Sequence, residues 1–248
     1  MKRLLLSTLH EYIGISLENL YRHQEKLLQE VSLDTLLERN PYLLTVKNVA
    51  VAGLLVENWL DEVLSSSEEK LFGDFLEQLA VFVAGETCNG QKSATTGVDL
   101  EFANNGVEYL VSIKSGSNWG NSSQHNKLEQ DLRKAVATKK QGRPIANVQA
   151  VLGICYGKTK SSYVRSYRKL VGQSFWYFIS ENENLYIDIV EPIGYRAEEH
   201  NNAFAHEKVK AVNRFTRDLL NRFCDSSGAI DWNKLVQWNS GNFDPTDW

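Results

Sequence analysis

The residues best suited to chemistry in this chain are an aspartate, a serine and a lysine on two neighbouring predicted strands. Asp99 stands at the start of the first strand, and Ser112 and Lys114 lie near the end of the second. A carboxylate can hold a divalent metal ion, and an ammonium can stand beside an attacked phosphate. Hydrolysis of a phosphodiester needs both groups close together. A hairpin with a solvated polar face would show the same residue types.

A β-hairpin must position these side chains, and the sequence predicts one with a tight turn. Apolar residues alternate with polar residues over residues 98–102 and again over residues 109–114. The dipeptide Asn105-Gly106 between them is a strong turn signal, because both residues tolerate positive φ. Side chains repeat every two residues along a strand, so Ser112 and Lys114 share a face. If Asp99 lies on that face, a carboxylate, a hydroxyl and an ammonium converge on one patch.

The spacing from Asp99 to the triplet Ser112-Ile113-Lys114 resembles the signature of the PD-(D/E)XK nuclease superfamily. In that superfamily an aspartate begins one hairpin strand, and an acid-x-lysine triplet ends the next. The segment 97–124 most resembles type II restriction endonucleases, and the resemblance is sharpest over residues 71–157. Two positions depart from the motif, because residue 98 is Val instead of Pro and residue 112 is Ser instead of an acid. Some restriction-enzyme branches carry Ser-x-Lys and take the missing carboxylate from elsewhere.

The resemblance implies an α/β fold with a PD-(D/E)XK restriction-endonuclease-like core, in which helices flank a mixed central sheet. Residues 147–156 are nearly all apolar and predict a central strand. That strand would extend the sheet of the hairpin, with a helix over residues 122–140 as the crossover. Apolar residues at helical spacing predict two separate helices before the hairpin, over residues 49–64 and 68–84.

The chain is predicted to have two parts. Residues 1–65 form a helical N-terminal extension, which would build a dimer or clasp DNA. Residues 66–248 form the nuclease domain, with the catalytic and DNA-recognition residues. A length of 248 residues suits one large domain with such an appendage.

The second carboxylate that the resemblance requires has several candidates. In the superfamily the helix before the hairpin often supplies a metal-binding glutamate, and Glu77 lies among apolar residues of such a helix. Glutamate is rarely buried unless it is paired, so Glu77 is the first candidate, with a place on the wet edge of the helix as the alternative. Glu129 or Asp131 on the following helix is the second choice, and Glu101 on the first hairpin strand is the third.

The resemblance implies Mg²⁺ as the cofactor, held by Asp99 and Glu77. Mg²⁺ keeps several waters and needs few protein carboxylates, which fits a sparse site. Lys114 would position and activate the attacking water or balance charge on the phosphate. Ser112 can hydrogen-bond a metal-bound water, although a neutral hydroxyl is a poor substitute for a carboxylate on a hard cation.

Two segments beyond the hairpin carry side chains suited to DNA. The first segment, residues 115–124, is polar and contains no acid. It leads into the helix over residues 122–140, which Ser122 or Ser123 can cap. Backbone N–H groups at a helix N-terminus suit phosphate oxygens, whereas the alternative is an ordinary capped loop. Trp119 in this segment could wedge against a sugar or base, or plug the hairpin from below. The predicted contacts here are Ser115, Asn118, Trp119, Asn121, Ser122 and Gln124.

The second segment, residues 158–169, is the most basic window of the chain and contains no acid. We interpret it as a DNA-facing loop in which Lys158 and Lys160 hold phosphates. Arg165 or Arg168 would contact base edges, because a guanidinium matches guanine O6 and N7 with two hydrogen bonds. A solvated basic loop is the alternative interpretation.

The composition of the chain argues against several classes of protein. A net charge of −4 argues against a non-specific nucleic-acid coat protein, but it allows an enzyme that focuses positive charge in one cleft. Three widely spaced cysteines match neither a zinc site nor a disulfide framework, which favours a reducing cytosol. The apolar runs are too short for a signal sequence or a membrane span. We therefore expect a cytoplasmic protein without a membrane partner.

The resemblance as a whole implies a type II restriction endonuclease that hydrolyses double-stranded DNA with Mg²⁺. A homodimer is expected, because palindromic sites mirror two-fold symmetry. Two alternatives remain open. One is a repair or junction nuclease on the same fold. The other is a non-catalytic DNA-binding or adaptor protein that lost a metal ligand at residue 112.

Overall fold

The computed structural model describes residues 1–46, 49–142, 147–195 and 197–243. Four helices come first along the described chain, the strands follow with one helix among them, and five helices come last. The helices are α1 (Leu6–Glu30), α2 (Leu33–Leu37), α3 (Pro41–Val46), α4 (Ala52–Cys88), α5 (Ser122–Gly142), α6 (Gln173–Ser180), α7 (Leu185–Asp188), α8 (Val190–Gly194), α9 (Ala197–Phe223) and α10 (Trp232–Ser240). The strands are β1 (Gln91–Lys92), β2 (Leu100–Asn104), β3 (Val107–Gly116), β4 (Asn147–Tyr156), β5 (Ser162–Val164) and β6 (Tyr167–Val171).

The strands form one six-stranded mixed sheet in the order β1-β2-β3-β4-β6-β5. The pairs β3–β4 and β4–β6 are parallel, and the other three pairs are antiparallel. A parallel pair needs a crossover connection, which α5 supplies between β3 and β4. The predicted α/β class with a mixed sheet flanked by helices is confirmed, as is the central strand over residues 147–156.

The predicted hairpin is present as β2 and β3. Asn104 pairs with Val107 across a two-residue turn, and Asn105 and Gly106 have φ values of 50° and 75°. A turn with positive φ at both central residues matches the right-handed twist of the flanking strands. The turn therefore fixes the register of the two strands that carry the candidate catalytic residues.

Helices cover both faces of the sheet in this region. On one face, Leu128, Leu132 and Ala135 of α5 pack into a cluster with alternate apolar residues of β3 and β4. On the other face, Gly153 of β4 makes room for α6, since a Cβ there would lie 2.2 Å from the ring of Phe175. The α4 helix lies on this second face as well, with Gly73 next to Ser115.

A single long helix, α4, replaces the two helices predicted over residues 49–64 and 68–84. The prediction of two helices was wrong because it treated three consecutive serines, residues 65–67, as a break. Serine is only slightly less favourable than alanine inside a helix. Buried apolar residues such as Leu64 and Phe75 continue on both sides of the serines, so packing carries the helix through them.

The chain groups into two compact units. One consists of Met1–Leu20 and Lys70–Ala197 and contains the sheet, and the other consists of Tyr21–Glu69 and Glu198–Trp248. The second unit is helical and has its own core, which includes Leu36, Trp59, Leu60, Phe215 and Leu235. Each unit is built from separated stretches of chain. The predicted boundary after residue 65 and the roles predicted for the N-terminal extension remain predictions.

None of the described helices combines the length and the apolar character that crossing a membrane requires. Cys88, Cys155 and Cys224 are all free thiols.

Candidate active site

The candidate active site lies at the sheet edge where β3 ends. Asp99 immediately precedes β2, which runs antiparallel to β3, so Asp99 lies at the same edge as Lys114. The register ends with Leu100 opposite Val111, and the hydroxyl of Ser112 contacts the carboxylate of Asp99 directly. Ser112 shares its face of β3 with Lys114, because side chains repeat every two residues along a strand. Asp99 therefore lies beside the serine whose strand face also carries Lys114.

Strand β3 holds the Asp99 carboxylate in place. The backbone N–H of Ile113 donates to Oδ2 of Asp99 at 2.6 Å, and the hydroxyl of Ser112 donates to the same oxygen at 3.2 Å. The backbone N–H of Asp99 itself donates to the carbonyl of Val111 at 2.8 Å. Oδ1 of Asp99 has no hydrogen-bond donor in the described part of the chain, so one carboxylate oxygen is left for a ligand.

Lys114 presents its ammonium without a carboxylate partner among the described residues. The side chain is half-buried, and Nζ lies 5.7 Å from the centroid of the Trp119 ring. An unneutralised ammonium and an oriented carboxylate at the same end of a strand pair are groups that phosphodiester hydrolysis can use.

Glu77 of α4 belongs to the same electrostatic neighbourhood. The exposed fraction of its side chain is 29%, and its Oε1 lies 4.0 Å from Nζ of Lys92 on β1. Burial raises the pKa of Glu77, and the nearby charge of Asp99 raises it further, whereas Lys92 and Lys114 act in the opposite direction. The charges of Asp99 and Lys114 thus both act on Glu77, although α4 packs on the sheet face opposite to the one that carries Ser112 and Lys114. Glu77 lies neither on the open surface nor deep in the core.

Asp99 and Glu77 together fit a hard divalent cation. Both offer carboxylate oxygens, which Mg²⁺ prefers, and a cation would offset the burial and the nearby charge of Asp99, which together raise the pKa of Glu77. No group of three or more His, Cys, Asp or Glu side chains among the described residues could hold a metal ion. Two carboxylates with water in the remaining positions is a usual arrangement for Mg²⁺, because this ion dehydrates reluctantly.

The third candidate acid, Glu101, is engaged elsewhere. Its carboxylate contacts Nζ of Lys139 at 2.6 Å and accepts hydrogen bonds from the hydroxyls of Ser93 and Thr95. Burial would raise the pKa of Glu101, but these partners together hold it below its ordinary value. Glu101 therefore ties the hairpin to α5.

The second-choice acids have different surroundings. Glu129 is buried and contacts the guanidinium groups of Arg165 at 2.6 Å and Arg133 at 2.7 Å. The hydrogen bond from Arg165 lowers the pKa of Glu129 most strongly. Asp131 lies against Gly97, where an added Cβ would come within 2.6 Å of the aspartate Cβ. Asp131 is thus near the start of the hairpin, whereas Glu129 is occupied by arginines.

The N-terminus of α5 is capped by Asn121, and the predicted caps Ser122 and Ser123 are the first residues of the helix. Asn121 Oδ1 accepts from the backbone N–H of Gln124 at 3.1 Å, and Gln124 Oε1 accepts from the backbone N–H of Asn121 at 2.9 Å. This reciprocal pair is a capping box, which satisfies two donors at the helix start. Both side chains were predicted DNA contacts, and both already have partners here.

The other predicted contacts of this segment lie in different places. Asn118 and Ser122 are exposed, whereas Trp119 is half-buried. Ser115 lies one residue beyond Lys114, so its side chain is on the opposite face of β3 and close to Gly73 of α4. The structure thus separates Ser115 from the patch that contains Asp99 and Lys114.

Two loops meet at the ends of the parallel strands β3 and β4. The hydroxyls of Ser117 and Thr159 are 2.8 Å apart, which joins the loop after β3 to the loop after β4. Gly157 has a φ of 149°, and a Cβ there would lie 2.0 Å from Oγ of Ser117, so only glycine fits. Lys158 and Lys160 are exposed in the second loop. Ligands commonly bind outside the carboxyl ends of parallel strands, which is where these lysines lie.

The basic segment over residues 158–169 includes β5 and the first three residues of β6, which form a hairpin. Arg165 lies in its turn with a φ of 49°, and its guanidinium binds Glu129 and also donates to Asn126 at 3.4 Å. Arg168 is exposed, and its guanidinium lies 5.8 Å from the ring of Tyr163 on the neighbouring strand. Of the two predicted base-contacting arginines, Arg168 is the one without an acidic partner in the described chain.

Lys92 and Tyr163 were not identified from the sequence. Lys92 lies on a strand of only two residues, which is too short to give an alternating pattern. Tyr163 lies opposite Arg168 on an edge strand of three residues. Tyr163 lies within the basic window of the sequence, but its pairing with Arg168 depends on the register of β5 and β6.

Residues 7–201 of the chain match a family model described as "Type II restriction endonuclease EcoO109I". The matched range contains all of the candidate site residues, from Glu77 to Arg168. No curated protein matches the chain at a significant level.

Proposed function

Because this chain belongs to the EcoO109I family of type II restriction endonucleases, and is therefore a site-specific deoxyribonuclease, we propose that it cleaves double-stranded DNA with Mg²⁺. We place the reaction at the sheet edge that carries Asp99, Glu77 and Lys114. The observation that supports this location best is the carboxylate of Asp99. Backbone and hydroxyl donors of β3, the strand that also carries Lys114, hold this carboxylate in place.

Asp99 and Glu77 are the proposed metal ligands. Bound Mg²⁺ would polarise the scissile phosphate and lower the pKa of a coordinated water. Asp99 uses Oδ2 for its hydrogen bonds to β3, which leaves Oδ1 as the proposed ligand atom. Ser112 is a positioning residue in this scheme, since its hydroxyl donates to Asp99.

Lys114 stabilises the charge that develops on the attacked phosphate, or orients the water that attacks it. A fixed cation is worth most where water is excluded, and the Lys114 side chain is half-buried. No covalent intermediate is required, because water can attack the phosphorus directly.

DNA contacts are proposed on the loops and the hairpin next to this edge. Lys158 and Lys160 would bind phosphates, and Arg168 would read a base edge in the major groove. A net charge of −4 gives no general attraction to DNA, so these exposed cations must act locally. We further propose a cytoplasmic homodimer, because two copies related by a two-fold axis match a palindromic site.

A digest of a sequenced phage DNA tests the proposal. The wild-type protein with Mg²⁺ should give discrete fragments whose ends define one short sequence, and chelation of Mg²⁺ should prevent cleavage. Lys114→Ala should lose about 10²-fold to 10³-fold in rate, as for the removal of one transition-state donor. Lys134→Ala is the matched control, since Lys134 is an exposed lysine on α5.

Other outcomes point to the alternative functions. Fragments without a common end sequence would favour a repair or junction nuclease. Duplex binding without cleavage at any Mg²⁺ concentration would favour an adaptor protein. Light scattering of the protein with its cognate duplex measures the number of copies, and one copy on each duplex would contradict the homodimer.

A further inference from the structure

Trp119 lies between the candidate lysine and the core of the sheet. Its ring centroid is 5.7 Å from Nζ of Lys114. The ring also meets the imidazole of His125 edge-on, with centroids 4.2 Å apart and planes at 63°. The apolar cluster that includes Leu128 and Leu132 packs against Trp119. The Trp119 ring is therefore held by α5 and by the apolar core, and the ammonium of Lys114 lies over the ring.

A lysine needs such support if its ammonium is to act at a defined point. The side chain is a flexible four-carbon stem that ends in a compact charge. Within the described ranges, Lys114 forms no ion pair that would fix it. A carboxylate partner would fix the ammonium but would also neutralise it. An aromatic ring attracts a cation through its quadrupole and carries no net charge.

We propose that Trp119 is a positioning residue for Lys114, which holds the ammonium at the candidate active site while leaving its charge available to a phosphate. This inference rests on the proposed function of Lys114. It differs from the interpretation of Trp119 as a DNA contact, because a half-buried ring packed on the core acts through the lysine and not through a base.

The kinetic test compares two substitutions of Trp119 in single-turnover cleavage of a duplex that carries the recognition site. Trp119→Leu keeps an apolar side chain and removes the ring, whereas Trp119→Phe keeps an aromatic face. The maximal rate should fall about tenfold in Trp119→Leu, which corresponds to about 1.4 kcal/mol, and should stay within about threefold of wild type in Trp119→Phe. The enzyme concentration at half-maximal rate should change little in either variant.

The outcomes separate the two roles of the ring. A rise in the half-maximal concentration at an unchanged maximal rate would overturn the proposal and assign Trp119 to DNA binding. The proposal would also be overturned if both variants lost the same maximal rate and both had a lower melting temperature. Such losses would reflect packing alone. Melting temperatures close to wild type are expected for both variants.

A second measurement is independent of cleavage. Lysine amines are labelled by reductive ¹³C-methylation, which preserves their charge, and the Lys114 signal is identified by its absence in Lys114→Arg. We expect that signal upfield of the other lysines in wild type and in Trp119→Phe, owing to the ring current, and an ordinary position in Trp119→Leu. An ordinary position in wild type would overturn the proposal whether or not the protein cleaves DNA. A shifted signal in a protein without nuclease activity would instead count against the proposed function.

Discussion

Ser112 and Asp99 are joined by a hydrogen bond of 3.2 Å from the serine hydroxyl to Oδ2 of the aspartate. This serine stands where the nuclease motif has an acid, and its exposed fraction is only 1%. A buried carboxylate at that position would face Asp99 and repel it. The serine instead donates to the carboxylate, so under the proposed function residue 112 supports the ligand Asp99.

Replacing Ser112 by Ala should lower the cleavage rate about tenfold, the usual effect of losing a partner that orients a metal ligand. It should also lower the free energy of unfolding by about 1 kcal/mol through the lost hydrogen bond. Single-turnover kinetics and denaturant unfolding measure the two effects. Ser180→Ala is the matched control, since Ser180 is buried and donates to the carbonyl of Trp176 at 2.6 Å, away from the site. Equal rate losses in both variants would contradict a specific role of Ser112.

Replacing Glu77 by Gln should raise the Mg²⁺ concentration at half-maximal cleavage by about tenfold or more, because a neutral amide is a weaker ligand for a hard cation than a carboxylate. Titration of Mg²⁺ at saturating DNA measures this concentration. Glu86→Gln, at an exposed position of the same helix, should leave it close to wild type. If Glu77→Gln needs no more Mg²⁺ than wild type, the second carboxylate comes from another residue, and Asp131 is the next to test.

The Glu129 carboxylate should make the stability of the fold depend on pH. The hydrogen bond from Arg165 holds the pKa of Glu129 below its ordinary value of 4.5. A carboxylate with a lowered pKa stabilises the folded state above its ordinary pKa and loses this contribution as the pH falls through the folded-state value. Wild type should therefore be more stable than Glu129→Gln at pH 7, and the difference should shrink below about pH 4.5.

Denaturant unfolding at a series of pH values from about 7 down to about 3 measures the difference between wild type and Glu129→Gln. The sign of the change is fixed by the direction of the pKa shift, and no other variant is needed to interpret it. A difference in stability that stayed constant over the whole range would mean that the charge of Glu129 does not hold the β5–β6 hairpin.

Arg168 should determine base preference more than Arg165 does. Arg168→Ala should reduce the ratio of cleavage rates on the recognition duplex and on a duplex with one changed base pair by about tenfold to a hundredfold. Arg165→Ala is the matched control. It should lower the melting temperature, because the ion pair between Arg165 and Glu129 is lost, and should leave the ratio of cleavage rates close to wild type. Cleavage assays on paired duplexes measure the ratio. The assignment is wrong if only Arg165→Ala relaxes specificity.

The parts of this structure that the sequence predicts well are local. Alternation and the Asn105-Gly106 turn predict the hairpin, and the period of a strand then puts Ser112 and Lys114 on one face of β3. The choice of α5 cap was missed, because Asn121, Ser122 and Ser123 are all good capping residues and local pattern does not rank them.

The missed features depend on contacts between distant residues. The pairing of Arg165 with Glu129 joins a hairpin turn to a helix 36 residues earlier, and no local pattern encodes it. The continuity of α4 and the grouping of separated segments into two units depend on packing. The proximity of Glu77 to Asp99 followed from the family resemblance and not from the spacing of the two residues.

The Asn105–Gly106 turn is a suitable attachment point for a label. The turn is exposed and lies at the far end of the hairpin, about 20 Å along the strand from Asp99. A dye or a surface tether attached there would report on individual protein molecules while leaving the DNA-cutting edge unobstructed.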